Sequence, residues 1–192
     1  MTEPAAPDAP TRVIKYFDNL VPMQTRNKIL GYVMRSKFEL GWVDVAFGPK
    51  STYKSLHSKF TKQEAYDCGL GDALDNSYEI TGLLVDYEFS HCIVNLSVAM
   101  DTNFTHTHNP GERVVLYYAN LEWESSWYGE TQFFNDTDTE VIFTVRYTPG
   151  RVLVFDGDIP HSIRPQSLLG PQYRFTVATV YKKIQEVINE QI

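Results

Sequence analysis

The sequence predicts a mainly β domain of the jelly-roll kind, with N-terminal helices packed on one face. Two observations carry this. Six short segments between residues 91 and 181 are rich in Val, Ile, Tyr, Phe and Thr: 91–100, 113–120, 130–134, 140–147, 151–156 and 173–181. Turn formers separate them: Asn109-Pro110-Gly111, Asp136-Thr137-Asp138, Pro149-Gly150 and the stretch from Pro165 to Pro171. β-branched and aromatic side chains suit a half-buried pleated surface, and short strands at such intervals build sandwiches and barrels.

Ahead of residue 91 the pattern is mixed. Residues 1–11, MTEPAAPDAPT, carry Pro and Ala but no basic residue and no apolar run. They read as a disordered leader and not as a signal peptide. Residues 13–21 read as a short strand and a turn. Pro22 suits the first position of a helix, and Met23, Ile29, Leu30, Val33 and Met34 recur at helical spacing, which predicts a helix over 22–36. Residues 40–60 hold Gly41, Gly48 and Pro49 among aromatics and read as an irregular strand and loop. Thr61 with Glu64 is a capping-box pattern for a short helix ending near Gly69. Residues 70–90 show no dominant period. The tail KKIQEVINEQI places Ile184, Val187, Ile188 and Ile192 on one side, which predicts a last helix.

Length and composition fit one folded domain over residues 12–192, with the chemistry in its 91–181 half. The chain has 192 residues, 43% of them apolar, and a net charge of −7. No Lys/Arg cluster is dense enough to neutralise several phosphates, so nucleic acid is not an expected partner. No apolar run is long enough to span a bilayer as a helix, so no membrane association is expected. Cys68 and Cys92 read as free thiols in a reducing compartment, hence a cytoplasmic expectation.

Chemistry points to histidine. The five are His57, His91, His106, His108 and His161. His106 and His108 are two apart, and on a strand such residues point to one face. His161 follows the segment 151–156 and the turn Asp156-Gly157-Asp158-Ile159-Pro160. Two imidazoles from one strand and one from a distant segment make a facial set that leaves positions open on a metal ion. His57 and His91 read as ordinary loop or core histidines.

From about Asn95 to Tyr181 the sequence resembles the 2-oxoglutarate/Fe(II)-dependent oxygenases, especially the prolyl-hydroxylase-like branch. Five blocks carry the resemblance in order: HTH, VVLYYANLEW, WYGETQFF, YTPGRVLVFDGDIPHSIRP and YRFTVATVY. It implies a double-stranded β-helix that binds Fe(II), takes 2-oxoglutarate as co-substrate and uses O2 to hydroxylate an unactivated C–H bond. The substrate would be a small molecule, an amino acid or peptidyl proline. By the same resemblance His106 and His161 match the first and distal metal ligands. Arg174 matches the residue that grips the far carboxylate of 2-oxoglutarate, with Thr176 and Tyr118 adding hydroxyls. A planar guanidinium suits that task because it holds a carboxylate by two parallel hydrogen bonds. Arg164 and Glu130, in or beside the matched blocks, are candidates to reach substrate, and Asn95 to touch the co-substrate. Trp123 reads as core.

His108 stands where the family has a carboxylate, which leaves three readings of the third ligand. His108 completes a three-histidine site, the position is filled by water or halide, or Glu112 or Glu130 supplies a carboxylate. Two other functions fit the same residues. One is a three-histidine cupin-like dioxygenase that does not use 2-oxoglutarate. The other is a non-catalytic jelly-roll module that binds metal.

Overall fold

The described residues of the computed structural model, 12–43, 52–101 and 104–184, form ten strands and four helices. In chain order they are β1 (Ile14–Phe17), α1 (Met23–Val33), β2 (Glu39–Val43), β3 (Thr52–Phe60), α2 (Lys62–Asp67), α3 (Leu70–Asp75) and α4 (Tyr78–Leu83). Then come β4 (Tyr87–Ser97), β5 (Glu112–Tyr118), β6 (Thr131–Phe134), β7 (Val141–Val145), β8 (Val152–Asp156), β9 (His161–Ile163) and β10 (Arg174–Lys183). A seven-stranded sheet has the order β1-β8-β5-β10-β4-β3-β2, and a three-stranded sheet the order β7-β6-β9. Every pairing is antiparallel.

Alternation along the central strands explains how the two faces of the large sheet divide. Val115 and Tyr117 of β5, Val152 and Val154 of β8, and Phe175 and Val177 of β10 enter one apolar cluster. That cluster also takes Ile29 and Val33 from α1, Leu70 and Leu74 from α3, and Ile80 from α4. Their neighbours Val114, Leu116 and Tyr118 of β5 and Leu153 and Phe155 of β8 point the other way. They pack with Phe133 of β6 and Val145 of β7 from the small sheet. The space between the sheets is therefore a second interior, and the candidate site lies at it.

The six β-rich segments are all strands. β9 was not expected, because three residues are too few to show a period. Residues 70–90 resolve into α3, α4 and the start of β4. The expected last helix is displaced at its start, because Lys182 and Lys183 continue β10, opposite Glu112 of β5 and Tyr87 of β4. The rest of that expectation, 185–192, lies outside the described residues, as does the leader 1–11.

Two polar devices fix the frame. The expected capping box is formed: Thr61 Oγ1 accepts from the Glu64 amide at 3.2 Å, and the Thr61 amide donates to Glu64 Oε2 at 2.7 Å. Asp156, at the end of β8, accepts from the Val13 amide at 2.7 Å and from Arg113 Nε and Nη2 at 2.8 and 2.6 Å. It thereby ties the start of β1 and of β5 to the turn that leads into His161. Thr61→Ala is expected to lower the unfolding free energy by about 1 kcal/mol. Urea denaturation checks this: the midpoint should fall with no change in slope.

Candidate metal centre and buried arginine pocket

His106 does not lie on a strand. It forms an isolated antiparallel bridge with His161, the first residue of β9. Each backbone amide donates to the other's carbonyl at 3.0 Å. The His108 amide donates to Gly157 O at 2.7 Å, in the turn between β8 and β9. The convergence predicted from strand alternation is thus achieved by pairing the 104–108 segment against 157–161. The ring centroids lie 5.6 Å (106 to 108), 4.4 Å (106 to 161) and 5.3 Å (108 to 161) apart. One nitrogen from each ring comes within 4.8 Å of the others, a group that could hold a metal ion.

The ring partners say which nitrogens are available. His161 Nδ1 is 2.8 Å from Ile159 O, and His106 Nδ1 is 3.2 Å from Phe104 O. A carbonyl only accepts, so in each ring Nδ1 is the donor and Nε2 is the nitrogen left for a metal. His108 Nδ1 lies 4.0 Å from Glu112 Oε2. His161 is buried against Phe155 and Phe133, with ring centroids 4.7 and 6.1 Å away. Burial, then the charges of His106 and His108, push its pKa well below the usual histidine range. The imidazole is therefore neutral, as a metal ligand must be.

Further into the same interior lies Arg174, the first residue of β10, which is 0% exposed. Its Nε donates to Gly129 O at 3.2 Å, but among the described residues neither Nη1 nor Nη2 has a hydrogen-bond partner. Its Cζ stands 4.7 Å from the Tyr147 ring and 5.8 Å from the Tyr118 ring, and those rings stack at 4.5 Å. Burial lowers the Arg174 pKa, while the phenols of Tyr147 and Tyr118 and the Glu130 carboxylate oppose that shift. Thr176, also 0% exposed, has an Oγ1 without a hydrogen-bond partner among the described residues. It pairs across the sheet with Tyr118 on one side and Asn95 on the other. Directly opposed residues share a face, so Asn95, Thr176 and Tyr118 form a polar row. Tyr118 Oη is 2.8 Å from Thr131 Oγ1 of β6, which bridges the two sheets. Thr131 is two residues from Phe133, which pairs with His161, so β6 connects the polar row to the histidines.

The remaining candidates separate. Arg164 Nη1 lies 3.7 Å from Glu130 Oε1, and its guanidinium sits 3.7 Å above the Tyr128 ring. The two are brought together as a pair at the edge of β6, and Glu130 Oε2 is buried without a partner. Trp123 packs on the inner cluster and donates to Tyr128 O at 2.9 Å. His57 is buried on β3 opposite Asn95, and His91 is half-buried on β4. Neither belongs to the three-histidine group.

Several residues the sequence reading did not single out set the pocket. Asn120 Oδ1 accepts from the Phe175 amide at 2.8 Å, and its amide donates to Tyr147 Oη at 3.0 Å. Tyr147 Oη also lies 2.7 Å from Phe175 O. Together they clamp the start of β10 where Arg174 sits. Gly129 has φ +78°, and a Cβ there would meet Arg174 Nε at 3.1 Å and Trp123 at 3.2 Å. The only trace of these in the sequence is their place inside the matched blocks.

Solved structures share this architecture. A Trichoplax adhaerens prolyl hydroxylase, in complex with a hypoxia inducible factor oxygen degradation domain peptide fragment, superposes with TM-score 0.68 at 19% identity, covering 88% of this chain and 83% of that one. A Pseudomonas putida prolyl-4-hydroxylase gives 0.66 at 16% identity, covering 91% and 94%. An oxidoreductase of the 2OG-Fe(II) oxygenase family from Burkholderia pseudomallei gives 0.65 at 14% identity, covering 88% and 84%. This chain has the prolyl-hydroxylase fold. No family model and no curated protein matches it by sequence.

Two stability predictions follow from the crowding and the unpaired charge. A Cβ at Gly157 would stand 2.8 Å from His108 Cβ and 3.1 Å from Glu112 O, whereas one at Gly82 in α4 meets nothing within 4 Å. Gly157→Ala should cost about 1–3 kcal/mol, and Gly82→Ala should gain about 0.5–1 kcal/mol, read by thermal denaturation. Arg174→Met should raise the unfolding free energy by about 1–2 kcal/mol, because it replaces a desolvated, half-partnered cation with an apolar chain of similar length. Equilibrium denaturation of the two proteins side by side measures it.

Proposed function

We propose that the chain is an Fe(II)- and 2-oxoglutarate-dependent oxygenase, a single double-stranded β-helix domain over residues 12–192 with helices buttressing one face. One observation carries the reading. A cluster of three imidazoles shares an interior with a fully buried guanidinium whose two terminal nitrogens are unpartnered. A buried cation kept without a partner is costly, and such groups mark functional sites. What fits it is an anion delivered on binding, and a carboxylate fits the planar fork.

His106, His108 and His161 would hold the metal, each through Nε2. Arg174 would take the far carboxylate of 2-oxoglutarate, with the hydroxyls of Thr176 and Tyr118 beside it. Iron(II) and 2-oxoglutarate together supply O2 activation and oxidation of an unactivated C–H bond, with release of succinate and CO2. The protein's share is positional. Backbone carbonyls hold His106 and His161 in one tautomer, and Gly129 O and the Tyr147 ring hold the guanidinium. Glu130 and Arg164, at the edge of β6, face substrate in this reading, and the substrate is a peptide or a small molecule. Among the described residues no helix is long and apolar enough to cross a membrane. A cytoplasmic location remains our proposal from the free, buried Cys68 and Cys92.

A three-histidine dioxygenase that does not use 2-oxoglutarate is the second reading, favoured by His108 alone. It leaves the unpartnered Arg174 and Thr176 without a task. Anaerobic titration of the protein with Fe(II) and 2-oxoglutarate tests the choice. The expected result is a visible metal-to-ligand charge-transfer band that is lost in His161→Ala. In Arg174→Ala it should appear only at co-substrate concentrations at least about 10-fold higher, since a bidentate charged contact is worth about 1.5–3 kcal/mol. No band in the unmodified protein, with O2 uptake that needs no 2-oxoglutarate, would move the assignment to the second reading. Metal binding with no turnover would move it to the binding module. In His108→Asp metal binding should survive, measured by the same titration, because a carboxylate replaces an imidazole at the same place.

A further inference from the structure

An imidazole at residue 108 leaves the metal centre one negative charge short of a site with a carboxylate there. The structure places a carboxylate one step behind it. Glu112 Oε2 lies 4.0 Å from His108 Nδ1, and the Glu112 side chain is only 4% exposed. The carboxylate is held in place. It accepts from the Asn109 amide at 3.1 Å and from Asn109 Nδ2 at 3.1 Å. Lys182 Nζ stands 3.9 Å from its other oxygen. The backbone locks the same residues together: the Gly157 amide donates to Glu112 O at 2.7 Å, and the His108 amide donates to Gly157 O at 2.7 Å. A Cβ on Gly157 would strike both, so the approach of His108 to Glu112 depends on that glycine.

His106 and His161 each turn Nδ1 to a backbone carbonyl. His108 Nδ1 instead stands 4.0 Å from a carboxylate oxygen, beyond a hydrogen bond and within Coulombic reach. A negative charge at this range draws the ring proton to Nδ1 and enriches the lone pair at Nε2, which is how a carboxylate behind a ligating histidine acts. Glu112 does not itself belong to the group of candidate ligands.

We propose that Glu112 is a positioning residue for His108: its carboxylate, 4.0 Å from Nδ1, favours the imidazole proton there by Coulombic attraction and supplies the negative charge that residue 108 lacks. This rests on the metal-centre reading above. The 108 position is then neither vacant nor directly replaced, and the carboxylate has moved outward by one side chain.

The test is a double-mutant cycle on the full chain with Co(II) as the probe, its affinity read from the visible ligand-field bands. Glu112→Gln should weaken Co(II) binding about 10–100-fold in the unmodified background. It should change affinity less than about 2-fold in the His108→Ala background, where the path through the ring is gone. An equal loss in both backgrounds, or no loss in either, overturns the proposal. Long-range 1H–15N correlation of the metal-free protein gives a second readout independent of whether His108→Ala folds. His108 should be the Nδ1–H tautomer, shifting toward Nε2–H in Glu112→Gln, and an unchanged tautomer overturns the proposal. The two failures stay separate. A protein that binds Co(II) with the expected coupling yet makes no succinate keeps the dyad and loses the oxygenase reading, while one that binds no Co(II) loses the metal centre and the dyad together.

Discussion

The reciprocal backbone pair between His106 and His161 is the contact on which the candidate centre depends. Two hydrogen bonds of 3.0 Å join residues 55 positions apart in the chain (161 − 106). They do so without a strand on the His106 side. Side chains of a directly opposed antiparallel pair project to one face with Cβ atoms about 4.5–5.5 Å apart, which suits two rings sharing one ion. The 104–108 segment need not be regular, because its position is set by this pair and by the His108 amide on Gly157. The turn that presents His161 is fixed in turn by Asp156, which gathers Arg113 and the start of β1.

The second constraint is electrostatic. A fully buried guanidinium with two unpartnered nitrogens destabilises the free protein, and nothing in the fold alone calls for one there. The surroundings reduce the cost without removing it: a carbonyl on Nε, two stacked phenol rings, and Glu130 at a distance. Asn120 and Tyr147 hold the backbone at the start of β10, where the cation sits. Under the function we propose, that cost is what an arriving carboxylate would relieve. Beside the three imidazoles, Glu112 is a second buried charge, 4.0 Å from His108 Nδ1.

Much of the frame was legible because it is local. The six β-rich segments, the helix over 23–33 and the capping box at Thr61 follow from side-chain period and from hydrogen bonds three residues long. Where such signals fail, expectation failed too. β9 is too short for a period, residues 70–90 mix short helices with the start of a strand, and Lys182 and Lys183 extend β10 because they have partners on both sides. The strand assumed beneath His106 and His108 is, among the described residues, an isolated bridge of His106 to His161.

The sequence by itself determined the kinds of residue available: three histidines in two places, one arginine at the head of an apolar strand, hydroxyls in register behind it. Each is a local fact of identity and spacing. Only the tertiary structure decided that Nδ1 of two imidazoles is taken by carbonyls, that Arg174 is fully buried, and that Glu112 stands 4.0 Å from His108. Those depend on which distant backbones meet, and hydrogen bonds between segments separated by dozens of residues leave no period for the chain to show.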